Sequence, residues 1–252
     1  MPIHTALFEI LKQANIRYPV GPMGEKLVIP VPSGNAKRIS GRSFFPGGSG
    51  NSEGEQFVLP KNPILVLGNN FGSFGYYNEC VQFLYEEPLT NSTWRQLLDI
   101  DTQVGLNPRL CFHSNVFMGF TPGHRNSDPM VIKEDFRADC YSFLKQQISL
   151  INPRAIIAVG AKAKTALSVL SGGQIILWTS AIYAELYRTG HFSQRDISLS
   201  LDTGTASWKG DVIAMTHPSL RKGNFRKTIK KHEFDPEPIE LHGLMTFAKR
   251  NT

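Results

Sequence analysis

At 252 residues the chain is long enough for one well-buried α/β domain with decorations and short for two domains of ordinary size. A hydrophobic fraction of 41% with 10% aromatic residues is that of a globular protein, and apolar runs such as Ile64 to Leu67 are far too short to span a bilayer. The net charge of +6 suits a polyanionic partner, because each Lys or Arg that neutralises a phosphate releases counterions, while three scattered cysteines (Cys80, Cys111, Cys140) with no C-x-x-C pair cannot by themselves build a zinc site or iron–sulfur cluster.

Residues 1–13 lack a cationic flank leading into an apolar run and a small-residue cleavage site, so no secretory signal is read and a cytoplasmic location is expected. The first 62 residues divide into an N-terminal helix and a Gly/Ser-rich loop, 33–56. That loop carries Lys37, Arg38 and Arg42 without apolar periodicity and is expected to be mobile. Four apolar, partly β-branched stretches then predict buried strands at 63–68, 110–117, 154–160 and 211–216; they are continuous rather than alternating, as in a parallel sheet covered on both faces.

Between the strands, helical periodicity marks 93–104, with Ser92 as its cap, and 134–150. Asp99 and Asp101 read as the solvated end of the first of these helices. Residues 171–208 read as an insertion between the third and fourth strands, holding a helix near 180–188. A basic tract, 221–231, a Pro-containing turn at 235–238 and a last helix through Lys249 complete the chain. The alternation of strand and helix implies a doubly wound, three-layer α/β/α sandwich around a four-stranded, mainly parallel sheet, its core at 63–223 and a basic extension at 224–252.

Ligands of an open parallel sheet bind beyond the carboxyl ends of its strands. Three of those ends are polar here: Gly68-Asn69-Asn70-Phe71-Gly72-Ser73-Phe74-Gly75 after the first strand, Ser114-Asn115 at the second, and Thr216-His217-Pro218-Ser219 after the fourth. The glycine-rich loop lacks the Gly-Lys-Ser/Thr ending of a P-loop and does not spell Gly-x-Gly-x-x-Gly. His113 and His124 lack the i, i+4 spacing of a helical zinc pair. Each polar motif has an ordinary structural explanation by itself, and their ordered recurrence at strand ends sets them apart.

These residues resemble the uracil-DNA glycosylase superfamily. The glycine-led loop at Gly68 to Gly72 is similar to its first motif and His217-Pro218-Ser219 to its second. The strand-two Asn and the Pro153 to Ala163 pattern also fit, so that the likeness covers about 63–223. The nearest branch resembles the single-strand-selective monofunctional enzymes, which share a Gly-x-Asn-x-Gly-x-Phe-Gly start, a Phe thirteen residues after the Asn (Phe83) and a His-Pro-Ser-x-Arg loop ending here at Arg221. The resemblance implies a monofunctional DNA glycosylase that needs neither metal nor cofactor and acts as a monomer on single- or double-stranded DNA. Asn70 would position the water and His217 would stabilise the departing base.

Gly68, Asn69, Phe71, Gly72, Phe83 and Asn115 would form the base pocket, Phe83 by stacking and Asn115 by reading the base edge. Ser219, Leu220, Arg221 and Lys222 would contact DNA, Leu220 and Arg221 entering the duplex where the base has left. No Lys stands in the motifs, so no Schiff-base lyase step is implied. Gly72 stands where the most active uracil-specific branch has a Tyr that screens the 5-position, and a pocket open to 5-substituents is expected; Phe71 replaces the usual Pro. The biological settings are repair or defence against phages with modified DNA. The alternatives are a module that binds modified or abasic DNA without turnover and a nucleoside hydrolase of the same chemistry.

Overall fold

The computed structural model describes residues 3–31, 61–83, 92–123, 130–201 and 207–252. The 33–56 loop and His124 lie outside these residues. A short N-terminal helix, α1 (Ile3–Gln13), precedes a two-residue strand, β1 (Ile29–Pro30). Next come β2 (Ile64–Gly68), α2 (Phe74–Phe83), α3 (Ser92–Val104), β3 (Cys111–Asn115) and β4 (Gly119–Phe120), the last pairing antiparallel with β1. The second half runs α4 (Glu134–Ile151), β5 (Ala155–Val159), α5 (Ala161–Leu170), α6 (Leu177–Ser180), α7 (Tyr183–Thr189), β6 (Ser193–Ser200), β7 (Ser207–Met215), α8 (Arg221–His232) and α9 (Pro236–Asn251).

The central sheet has the order β3-β2-β5-β7-β6, with the first four strands parallel. Every residue of β2, β3 and β5 is buried, which explains their uninterrupted apolar runs. Helices flank the sheet in a three-layer α/β/α arrangement: α5 lies against β2, β5 and β6 and meets α4, while α9 lies against β7 and meets α3 and α8. Local chemistry fixes the helix ends. Asn152 ends α4 and Gly190 ends α7 in the left-handed conformation, and the Asp235 side chain accepts from the Glu237 amide at 3.0 Å to start α9 just before Pro236.

The four parallel strands expected from the sequence are present, and the sheet carries a fifth. Part of the 171–208 insertion forms β6, antiparallel to β7, with an irregularity between Gln194 and Ile197. Only Ile197 and Leu199 of β6 are buried, so an edge strand of this kind has too little apolar content to stand out. The second strand ends at Asn115 instead of Phe117, because the chain bends there and the Val116 and Phe117 amides donate to the Gly68 and Asn69 carbonyls at 3.0 and 2.9 Å. Asp101 is buried rather than solvated, since α9 packs against α3.

The insertion is fastened by a buried ammonium. Lys164 of α5 donates to the Ala181 carbonyl at 2.9 Å and to the Trp178 carbonyl, and its burial lowers its pKa. The Trp178 indole N–H in turn donates to the His191 carbonyl at 2.7 Å, just before β6. Lys164→Met keeps most of the apolar stem and leaves two carbonyls unsatisfied, so urea denaturation is expected to show a loss of about 1–3 kcal/mol.

Candidate active site

The register of the parallel strands brings their carboxyl ends level. Gly68 pairs with Asn115, Leu67 with Ala158, and Val159 with Met215, so the residues that follow all emerge along one edge. The chain leaves β2 toward β3 on one side and leaves β5 toward β7 on the other. The point at which the order reverses lies between β2 and β5, where a crevice is expected.

Gly160, directly after β5, sits at that point with φ +89°. A side chain there would bring Cβ within 2.9 Å of Asn69 Nδ2, 3.2 Å of Asn69 Oδ1 and 3.3 Å of His217 Cβ. The loops after β2 and β7 therefore meet over a residue that has to be glycine. Asn69 uses the proximity structurally: its Oδ1 accepts from the Lys162 and Ala163 amides at 3.1 and 3.2 Å and satisfies the first turn of α5. Asn69, expected in the base pocket, has its carboxamide oxygen engaged with this helix.

Asn70 follows half-buried. Phe71 packs on Phe120 with ring centroids 5.6 Å apart, in a cluster with Phe74 and Tyr77 beneath the loop. Gly72 has φ +82°, and its carbonyl accepts from the Thr121 amide at 2.8 Å and the Thr121 hydroxyl at 3.2 Å. Glycine at this position thus answers a backbone demand as well as any need for room. Phe74 and Gly75 continue the docking by donating their amides to the Thr121 and Gly123 carbonyls. Phe83 is the last residue of α2, and its side chain lies outside what the structure describes.

Asn115 is 0% exposed, and neither its Nδ2 nor its Oδ1 has a hydrogen-bond partner among the described residues. A buried carboxamide left in that state costs a few kcal/mol. The neighbouring Ser114 shows the contrast, donating to the buried Gln147 Oε1 at 2.7 Å. An unpaired donor and acceptor side by side at a strand end, next to Gly68, match a planar ligand edge that supplies one of each.

His217 is half-buried after β7, and its Nδ1 lies 2.9 Å from Ser219 Oγ. Burial lowers its pKa, so the neutral imidazole prevails at neutral pH. If the Ser219 hydroxyl donates to Nδ1, the proton sits on Nε2, leaving one N–H to offer a ligand. Leu220 is 59% exposed beside it, and Ser219 and Lys222 are also exposed. Arg221 is different. It is buried and ion-paired to Glu240 at 2.8 Å and Glu237 at 2.6 Å, turned into the protein rather than toward a duplex.

The structure thus brings Gly68, Asn69, Asn70, Asn115 and His217 to one edge, with Ser219, Leu220 and Lys222 on the adjoining surface. Gly160 was visible to sequence reading only as part of the Pro153 to Ala163 pattern. Among the described residues no group of three His, Cys, Asp or Glu side chains could hold a metal ion, and no helix is long and apolar enough to cross a membrane. Compared with protein families, residues 55–237 match the model described as Uracil DNA glycosylase superfamily. No individual curated protein matches the chain.

Gly160→Ala is expected to cost about 1–3 kcal/mol in chemical denaturation, combining left-handed strain with displacement of Asn69. Asn69→Ala, which removes only the cap, should cost about 1 kcal/mol. Equal stability of the Gly160→Ala protein and wild type would show that the two loops do not need the close approach.

Proposed function

The chain belongs to the uracil DNA glycosylase superfamily, and from that premise we propose that it hydrolyses the N-glycosidic bond of a pyrimidine flipped out of DNA, leaving an abasic site. The unpartnered, buried Asn115 carboxamide carries the reading. It supplies a donor and an acceptor to a base edge, and no protein group among the described residues uses either. In the reaction the bond between C1′ and the base nitrogen breaks, and the electron pair leaves with the base. Water adds to the oxocarbenium-like sugar carbon, releases a proton to solvent, and the base takes one up. Asn70 positions that water; an electrophile already cationic needs little further activation.

His217, neutral and donating from Nε2 while Ser219 holds Nδ1, stabilises the negative charge that gathers on the base carbonyl oxygen. A term of this type contributes about 3 kcal/mol. Phe83 stacks on the base, Phe71 and Gly68 shape the pocket, and Leu220 fills the space the base vacates. These side chains suffice without metal or cofactor, in a monomer acting in the cytoplasm.

Within the superfamily we place the chain near the single-strand-selective monofunctional branch, on Gly68-x-Asn70-x-Gly72-x-Phe74-Gly75 and the His217 loop. With Gly72 the pocket has no side chain to screen the 5-position, so its substrates extend from uracil to 5-hydroxymethyluracil and larger phage-type modified pyrimidines. That range suits either repair or defence against phages with modified DNA.

DNA is held in part by α8. Lys222, Arg226 and Lys230 recur every fourth residue, about 6 Å apart along the axis, with Lys227 and Lys231 beside them. All five are exposed, and Phe225 anchors the opposite face. No acidic residue interrupts the helix.

Oligonucleotides, single- and double-stranded, carrying uracil, 5-hydroxymethyluracil or bulkier hydroxymethylcytosine derivatives are expected to break at the modified base after alkali. The rate should fall about a hundred- to a thousandfold in His217→Ala, and 5-substituted bases should be processed within about tenfold of uracil or better, on the scale of pocket discrimination. Tight binding with no breaks would point to a binding module, and neither breaks nor binding would refute the assignment.

Replacing Lys222, Arg226 and Lys230 together with Ala should lower the slope of log affinity against log salt by about 2–3, at 0.7–0.9 per phosphate contact. An unchanged slope would remove α8 from the DNA surface.

A further inference from the structure

The His217 loop is gripped at both ends by a single carboxylate. Glu240 of α9 is 0% exposed. Its Oε2 accepts from the Thr216 amide at 2.8 Å and from the Tyr187 hydroxyl of α7, and its Oε1 accepts from Arg221 Nε at 2.8 Å. Thr216 is the residue before His217 and Arg221 the residue after Leu220. The four residues between them, His217 to Leu220, close a tight turn in which the Leu220 amide donates to the His217 carbonyl at 2.9 Å.

Each neighbour of the carboxylate is itself fixed. Tyr187 gives its one proton to Glu240 and takes bonds from the Thr216 amide at 3.2 Å and, at 2.9 Å, from the Thr216 hydroxyl. Its ring meets Phe192 and Phe225 edge-on. Arg221 lies over the Phe225 ring at 4.8 Å and reaches Glu237 on the same helix as Glu240. A buried charge pair adds little net stability over an apolar one, but its directional bonds specify one arrangement.

We propose that Glu240, with Tyr187 and Arg221, is a positioning centre: it fixes where the His217 imidazole and the Leu220 side chain stand, touching neither base nor sugar. The proposal rests on the glycosylase reading for its kinetic consequence and on geometry alone for its structural one. Three donors converge on the two carboxylate oxygens. Gln at 240 would keep the size and point an N–H₂ at one of those donors, releasing one end of the turn. The loop then samples several arrangements, of which few place Nε2 on the base carbonyl.

The test uses the full chain with Glu240→Gln and, as a milder change that leaves the ion pair intact, Tyr187→Phe. Single-turnover cleavage of the best oligonucleotide is expected to fall at least tenfold in Glu240→Gln, and less but in the same direction in Tyr187→Phe, while the dissociation constant for that DNA stays within about threefold. Adding Glu240→Gln to His217→Ala should lower the rate by clearly less than Glu240→Gln lowers it in the wild type, because the imidazole is already gone and only Leu220 remains to be positioned.

Independently of any substrate, the proton–carbon NMR signals of the His217 imidazole should broaden or split in Glu240→Gln while those of the other histidines hold. An unchanged cleavage rate, a rate loss matched by an equal loss of DNA affinity, or a His217 spectrum identical to wild type would overturn the proposal. Should the wild type cleave no member of the panel, the glycosylase reading falls, and the His217 spectrum still decides whether Glu240 sets the loop.

Discussion

The close approach of two loops over Gly160 is the constraint on which the site depends. Asn69 and His217 can be neighbours only because the residue between them has no Cβ and its backbone turns with φ +89°. That turn also opens α5, whose first free amides need an acceptor, and Asn69 supplies it from the loop after β2. One glycine therefore joins the strand ends, the helix start and the histidine loop, and the parallel register of β2, β5 and β7 brings them level.

Buried polar groups divide into two kinds around this point. One kind is satisfied within the protein: Ser114 with Gln147, Lys164 with two carbonyls, and Glu240 with three donors. These hold elements in place. Asn115 is of the other kind, as deeply buried with both carboxamide atoms left without partners among the described residues, where Gln147, Tyr183 and Arg221 each leave a single atom so. The first kind is scaffold, and Asn115 is the group to which the proposed function gives a base.

Much of the fold was legible because fully buried strands carry dense apolar runs, and β2, β3 and β5 are of that kind. β6 was not, since an edge strand with two buried residues reads as a polar loop. At the site, Asn70, Asn115 and His217 were visible as polar residues at strand ends, where parallel sheets bind ligands. Arg221, at the head of the basic tract, reads as a side chain that enters the duplex, and only the packing of α9 reveals that acidic partners turn it inward. Glu240 carried no signal at all, because one Glu among Glu237, Glu240 and Lys249 on a terminal helix looks like ordinary solvated charge. Gly72 was readable as space, but its left-handed backbone was not.

The placement of Glu240 ties the histidine loop to the order of synthesis. Asn70, Asn115, Gly160 and His217 all precede it in the chain, so the carboxylate that anchors the His217 loop is synthesised after the strands and loops it joins. Until α9 emerges and docks, the Thr216 amide and the Arg221 guanidinium have no common anchor. The fixing of the His217 loop thus waits on the docking of α9.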